Sequence, residues 1–242
     1  MNGSISFRII FRILSRNFLI IFCAFLLCVV PALIYSESLL PFLFSALIAL
    51  CGALLFHLFG KDKVNLEMIG KKEAYLAVTL SWVFLGLLGS LPYLFSRSIP
   101  SFINALFESV SGFTTTGSSI LTDIEILPKS ILFWRSLTHW IGGIGIIVIF
   151  IIVMPSLQIG GHNLFTLESS LQEKIHPRVK SVGYRLLIIY LTLTMLEIIL
   201  LLLGRMSLFD SICHAFGTVA TGGFSPKNSS IAGYSPYIQY VI

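Results

Sequence analysis

The sequence predicts an all-α membrane protein: two leading transmembrane helices, then repeats of span, re-entrant loop and span, with the second repeat truncated. Three observations predict it. Apolar residues make up 56% of the 242 and charged residues only 11%, where a soluble domain carries about 25% charged residues. The apolar residues fall in runs long enough to cross a bilayer. A short threonine- and glycine-containing segment that is too polar for a span and too apolar for an ordinary loop occurs twice.

The elements follow in order. Residues 17–35 are almost wholly apolar behind Arg8, Arg12 and Arg16. The run is long for a signal-peptide core and no A-x-A site follows it, so a first membrane helix is the better reading. Ser36-Glu37-Ser38 makes a short turn, and Pro41 to Phe59 is the second helix. A charged loop from Lys61 to Glu73 precedes a third span, Ala74 to Phe95. Residues 100–128 then form a re-entrant loop: Ser101 is a possible N-cap, Ala105 to Phe113 a short apolar helix, and Thr114-Thr115-Thr116-Gly117 its end. A fourth span runs from Ser130 to Met154, a polar loop carries Lys174, Arg178 and Lys180, and a fifth span runs from Val182 to Leu203. Ser207 to Asp210 opens a second short helix that ends in Val219-Ala220-Thr221-Gly222, and Tyr237 to Ile242 looks like the first turns of a sixth span. The expected domains are therefore 1–72 (helix pair and following loop), 73–155 (first span–loop–span repeat), 156–181 (loop) and 182–242 (second repeat, incomplete). In that repeat Phe113-Thr114-Thr115-Thr116-Gly117-Ser118 aligns with Thr218-Val219-Ala220-Thr221-Gly222-Gly223.

Charge gives orientation. With a cytoplasmic N-terminus, Arg8, Arg12, Arg16, Lys61, Lys63, Lys71, Lys72, Lys174, Arg178, Lys180 and Arg185 lie at or near the inner side. These are eleven of the 16 basic residues, as the positive-inside rule requires. Both threonine–glycine segments then face outward. No basic patch interleaved with aromatics suggests nucleic acid.

Backbone that leaves the helix inside a membrane is tolerated where it is buried in protein or lines a watery cavity. Rings of backbone carbonyls can replace the water shell of a cation. Glycine lets the carbonyls turn to a common axis, and the C-terminal end of the preceding helix supplies partial negative charge.

The run Asn104 to Gly117, the run Phe133 to Ile146 (FWRSLTHWIGGIGI) and the run Phe209 to Ser225 (FDSICHAFGTVATGGFS) resemble, in order, the first pore loop, its following helix and the second pore loop of the TrkH family of bacterial potassium uptake proteins. The resemblance covers roughly residues 60–235. It implies a potassium-channel-like fold of two leading helices and four span–loop–span repeats around one pore. It also implies that Thr114, Thr115, Thr116, Gly117, Val219, Ala220, Thr221 and Gly222 form filter strands. Within these, the carbonyls of Thr115, Thr116, Ala220 and Thr221 would hold potassium, and Gly117 and Gly222 would be the filter glycines. Potassium would be the transported substrate, with no bound cofactor. The implied partners are the lipid bilayer, a TrkA-like cytoplasmic nucleotide-binding regulator and a second copy in a homodimer. The implied location is the bacterial inner membrane. The chain has at most two of the four repeats, so two alternatives stay open: a truncated, non-conducting membrane fragment, and a variant that moves sodium as well as potassium.

Other residues carry paired readings. Gly142, Gly143 and Gly145 suit close helix packing better than a hinge. Arg135 is either functional or snorkels to the outer interface. Asp123 and Glu125 could attract cations or be solvated loop carboxylates. Glu197 falls mid-span and needs a partner or water. His57, His139 and His214 share no ligand spacing, and the four cysteines, Cys23, Cys28, Cys51 and Cys213, read as small buried hydrophobes. No GxSxG or HExxH motif points to an enzyme.

Overall fold

A computed structural model describes residues 6–60, 71–157 and 175–242, with side chains over 6–60, 72–146 and 182–242. The described residues are all-helical. They form α1 (Phe7–Ile34), α2 (Leu40–Phe59), α3 (Lys71–Phe95), α4 (Phe102–Phe113), α5 (Lys129–Leu157), α6 (Ile175–Leu203), α7 (Leu208–Val219) and α8 (Pro236–Val241). Among them α1, α2, α3 and α6 each contain a stretch long and apolar enough to span a bilayer. At 29 residues α5 is long enough as well, about 43 Å at 1.5 Å per residue.

Several boundaries differ from the sequence reading. α1 begins at Phe7 rather than near Asn17, so Arg8, Arg12 and Arg16 lie on the helix itself. Helix continues where the chain leaves the apolar layer because a helix keeps its backbone groups paired in water and lipid alike. For the same reason α5 runs past Pro155 to Leu157, and α6 starts at Ile175, well before Val182. Of the charged loop expected from Lys61 to Glu73, residues 61–70 lie outside the described residues and Lys71 to Glu73 belong to α3; of the polar loop expected over 156–181, residues 158–174 lie outside them and Arg178 and Lys180 lie on α6.

α1 and α2 pack along one another, and α1 also meets α3 and α5. α4 is held between α3 and α5, and α7 between α5 and α6. The core sits where these helices converge. Trp134 on α5 is fully buried between Phe25 of α1 and Phe113 of α4, with ring centroids 4.8 and 6.1 Å away, and its Nε1–H donates to the Gly89 carbonyl of α3 at 3.0 Å. The outer faces of α2 and α6 present Leu47, Leu54, Leu58, Leu193, Met195 and Leu203 outward, as a lipid-facing surface requires. Cys23 and Cys51 lie exposed on such faces rather than buried, while Cys28 and Cys213 are buried.

The turn between α1 and α2 has a structural task. Glu37 accepts from the backbone N–H groups of Lys129 (2.6 Å) and Ser130 (2.9 Å) and from the Ser130 hydroxyl (2.6 Å). It thereby caps the first turn of α5, where N–H groups have no intrahelical partner and negative charge is favoured.

Candidate functional site

The two short helices end in the same way. At α4, Thr116 N–H donates to the Ser111 carbonyl and Thr115 N–H to the Gly112 carbonyl, both at 3.0 Å. At α7, Gly222 N–H donates to the Gly217 carbonyl at 2.7 Å and Thr221 N–H to the Thr218 carbonyl at 2.8 Å. This is the Schellman termination, which needs a left-handed residue just past the helix. Glycine usually fills that place; here it is threonine both times, Thr115 at φ 55° and Thr221 at φ 56°. A left-handed non-glycine costs about 1–3 kcal/mol; the same pair of bonds also closes α1 at Ser36 (φ 56°) and α6 at Arg205 (φ 66°), so this end by itself does not mark the two loops. Two residues past the threonines, Gly117 (φ 75°) and Gly223 (φ 84°) are left-handed again.

These features fix the register. Every residue of α4 and its loop matches one 106 further along, from Phe102 with Leu208 to Phe113 with Val219. The sequence alignment, which set Gly117 against Gly222, is one residue out. Gly117 corresponds to Gly223, Thr115 to Thr221, Thr116 to Gly222 and Thr114 to Ala220. The number of residues from Asn104 to Gly117 equals that from Asp210 to Gly223, so no residue is missing from the second loop. The Thr-Gly pair common to both loops misled the alignment.

Gly222 is small for another reason. A Cβ there would enter the His139 ring. A Cβ on Gly117 would collide with the Gly222 carbonyl oxygen, so the two loops run against each other. A Cβ on Gly223 would meet nothing within 4 Å. Thr114 and Thr116 are exposed and share a hydroxyl–hydroxyl hydrogen bond of 2.8 Å.

Behind the loops lies a buried ion pair. Arg135 Nε donates to Glu108 Oε1 at 2.7 Å, with 2% and 0% of the two side chains exposed. Glu108 also accepts from the Ser119 hydroxyl (2.9 and 3.1 Å) and the Ile120 N–H (3.1 Å). Arg135 Nη1 donates to the Ser225 carbonyl at 3.1 Å, and its guanidinium lies 3.8 Å from the centre of the Phe224 ring. Phe224 stacks in turn on His139, with centroids 4.1 Å apart. The snorkelling reading of Arg135 is therefore wrong: a carboxylate, a carbonyl and a ring hold it inside the protein. The clue in the sequence was Glu108, a lone acid within the short apolar helix. Its partner lies 27 residues away on another helix, beyond any spacing rule.

Gly142 and Gly143 of α5 are packing glycines, whereas Gly145 is not: a Cβ there would meet Trp82 only at an ordinary 3.8 Å. A Cβ on Gly142 would overlap the Phe113 carbonyl, and one on Gly143 would crowd the Tyr190 hydroxyl and Ala220. α5 thus touches the ends of both short helices. Asp123 and Glu125 are engaged with Asn228. Its side chain accepts from Ile124 N–H (2.6 Å) and donates to Asp123 (2.8 Å), and its N–H donates to Glu125 (3.1 Å). This tie between the loops that follow the two short helices was not legible in the sequence. Glu197 is buried beside Thr218 of α7, with Oε1 lacking a hydrogen-bond partner. His57 is exposed, His139 is stacked on Phe224, and His214 lies 3.5 Å from the Ser225 hydroxyl. Among the described residues no group of three or more His, Cys, Asp or Glu is placed to hold a metal ion. What the site offers a cation is backbone oxygen and hydroxyl.

Comparison with known proteins gives a consistent result. The TrkH family, described as cation transport protein, matches residues 42–242. The chain is 39% identical over 196 residues to the Trk system potassium uptake protein TrkH of Escherichia coli K12, covering 79% of this chain and 40% of that protein. It is 35% identical over 237 residues to TrkH of Vibrio parahaemolyticus, covering 96% and 48%. It is 41% identical over 168 residues to TrkI of Halomonas elongata, covering 69% and 34%. The crystal structure of the potassium transporter TrkH from Vibrio parahaemolyticus matches with a TM-score of 0.84 at 33% identity, over 98% of this chain and 48% of that one. The chain spans half the length or less of the curated relatives named here.

Proposed function

The chain belongs to the TrkH family of cation transport proteins, and on that premise we propose that it forms part of the pore of a Trk-type potassium uptake system. The observation that carries this reading is that the loops after the two short helices turn left-handed again at Gly117 and Gly223 and run against each other at Gly117 and Gly222. Both helices present their C-terminal, partially negative ends to the loops. Backbone carbonyls there would take the place of the water shell of potassium. In the register above, the carbonyls of Thr115 and Thr116 pair with those of Thr221 and Gly222, Ala220 pairs with Thr114 at the base, and Gly117 and Gly223 are the filter glycines. Val219 ends the helix that aims the second strand.

The chain divides in this reading into the leading pair 1–72, a first pore repeat 73–155, a loop 156–181 and the second repeat from 182. Two strands are half of a fourfold ring, and the other strands would come from outside these 242 residues. The protein would sit in the bacterial inner membrane with a cytoplasmic N-terminus. It would work as a homodimer under a TrkA-like nucleotide-binding regulator, and it would move ions without catalysing a reaction.

The test is uptake by the transporter containing this chain, in cells that lack their own potassium uptake. Gly117→Ser and Gly223→Ser should each abolish the preference for potassium over sodium. Unchanged preference in both would overturn the filter assignment.

A further inference from the structure

We propose that Arg135 and Glu108 are positioning residues that set the distance between the first and second filter strands, and with it the preference among alkali cations. The inference rests on the potassium-pore reading and adds to it which side chains hold the strands in place. Ser119 lies two residues past Gly117, and Ser225 two residues past Gly223. The pair therefore grips both strands at the same place in the repeat: Glu108 holds the Ser119 hydroxyl and the Ile120 N–H of the first, and Arg135 holds the Ser225 carbonyl of the second. The guanidinium joins the two halves through Glu108 Oε1 and packs on the Phe224 ring. Its rigid planar fork can donate in two directions at once, which a lysine ammonium on a flexible stem does not reproduce.

Energetics favour a geometric role. A buried ion pair repays its own desolvation poorly and can often be replaced by well-packed neutral groups at little cost in stability. This pair is almost entirely buried, so its net contribution to stability is small for the geometry it imposes. The second repeat has no charge at the matching place. His214 stands where Glu108 stands and meets Ser225 as Glu108 meets Ser119. The second strand thus depends on an arginine anchored in the first repeat. A cross-tie at the back of two strands fixes their spacing, and spacing decides how well carbonyls substitute for the water of one cation rather than another.

The experiment uses the transporter containing this chain and reads the potassium KM, the potassium-to-sodium uptake ratio, the maximal rate per transporter and the melting temperature. Arg135→Lys keeps a charge opposite Glu108 and gives up the Ser225 carbonyl. It should raise KM about tenfold and lower the ratio by a similar factor, as loss of one charge-assisted hydrogen bond predicts, with the maximal rate within about twofold. The double variant Glu108→Gln with Arg135→Met leaves no charge at this pair. It should melt close to the parent and still lose the ratio, which a merely structural pair would not do. Parent values of KM and ratio in either variant would overturn the proposal. So would a fall in rate and melting temperature at unchanged KM, or failure of both variants to reach the membrane. A parent that takes up no potassium would instead overturn the pore reading on which the proposal rests.

Discussion

The two pore loops share a backbone and differ in almost everything that supports it. In the first, a charged pair, two exposed threonine hydroxyls and Glu108 on Ser119 hold the strand. In the second, Ala220 and Gly222 are buried, His139 fills the space beside Gly222, and His214 replaces the acid. The helix termination and the left-handed positions are nevertheless the same at 106 residues' distance. What repeats is the path of the carbonyls; the side chains behind it have diverged. This is the pattern expected of a site that reads ions through the main chain.

The largest expected break comes from copying the second loop into the first. Glu108→His leaves the Arg135 charge buried without its counter-charge, at about 3–5 kcal/mol. Thermal unfolding of the purified protein should show a severe loss, while His214→Gln, with no buried charge at stake, should fall far short of it. Equal losses would mean that the loops are not supported differently.

Next come the glycines. Gly117→Ala combines a left-handed alanine, about 1–2 kcal/mol, with a clash against the Gly222 carbonyl. Gly223→Ala meets only the backbone cost, since nothing lies within 4 Å. Uptake should therefore fall much further in the first than in the second. The reverse order would show that the first strand has more room than the structure gives it.

A smaller effect is expected at the left-handed threonines. Thr115→Gly and Thr221→Gly each relieve strain and should stabilise the fold by at most about 1 kcal/mol, read as a small rise in melting temperature. The potassium preference should fall in both, because the strand gains freedom. Smallest of all, Asn228→Ala removes two exposed side-chain hydrogen bonds between the loops that follow the two short helices, worth about 0.5–1.5 kcal/mol each at most. Hydrogen exchange around Ile124 should quicken while uptake stays near the parent value.

Much of the fold could be read from the sequence because apolar runs are its direct cause. The α2 start differed by one residue, and the small helix beginning after Ser101 was found from its N-cap pattern, although the Ser101 side chain makes no capping bond. Helix ends beyond the apolar layer were not legible, since Arg8, Arg12 and Arg16 read as flanking charge rather than as helix. The packing role of Gly142 and Gly143 followed from residue size alone and agrees with the contacts to Phe113 and Ala220. The loop register slipped by one because Thr-Gly occurs in both loops, whereas the left-handed positions that define the match are properties of the backbone. The Glu108–Arg135 pair and the Asn228 tie join elements far apart in the chain, and only the packing of α5 against both short helices brings them within reach.

The cap that Glu37 places on α5 also bears on how such a chain is made. A ribosome delivers residues in order, so the turn holding Glu37 enters the membrane 92 residues before Lys129. The acceptor for the Lys129 and Ser130 N–H groups is therefore synthesised before the helix that it caps.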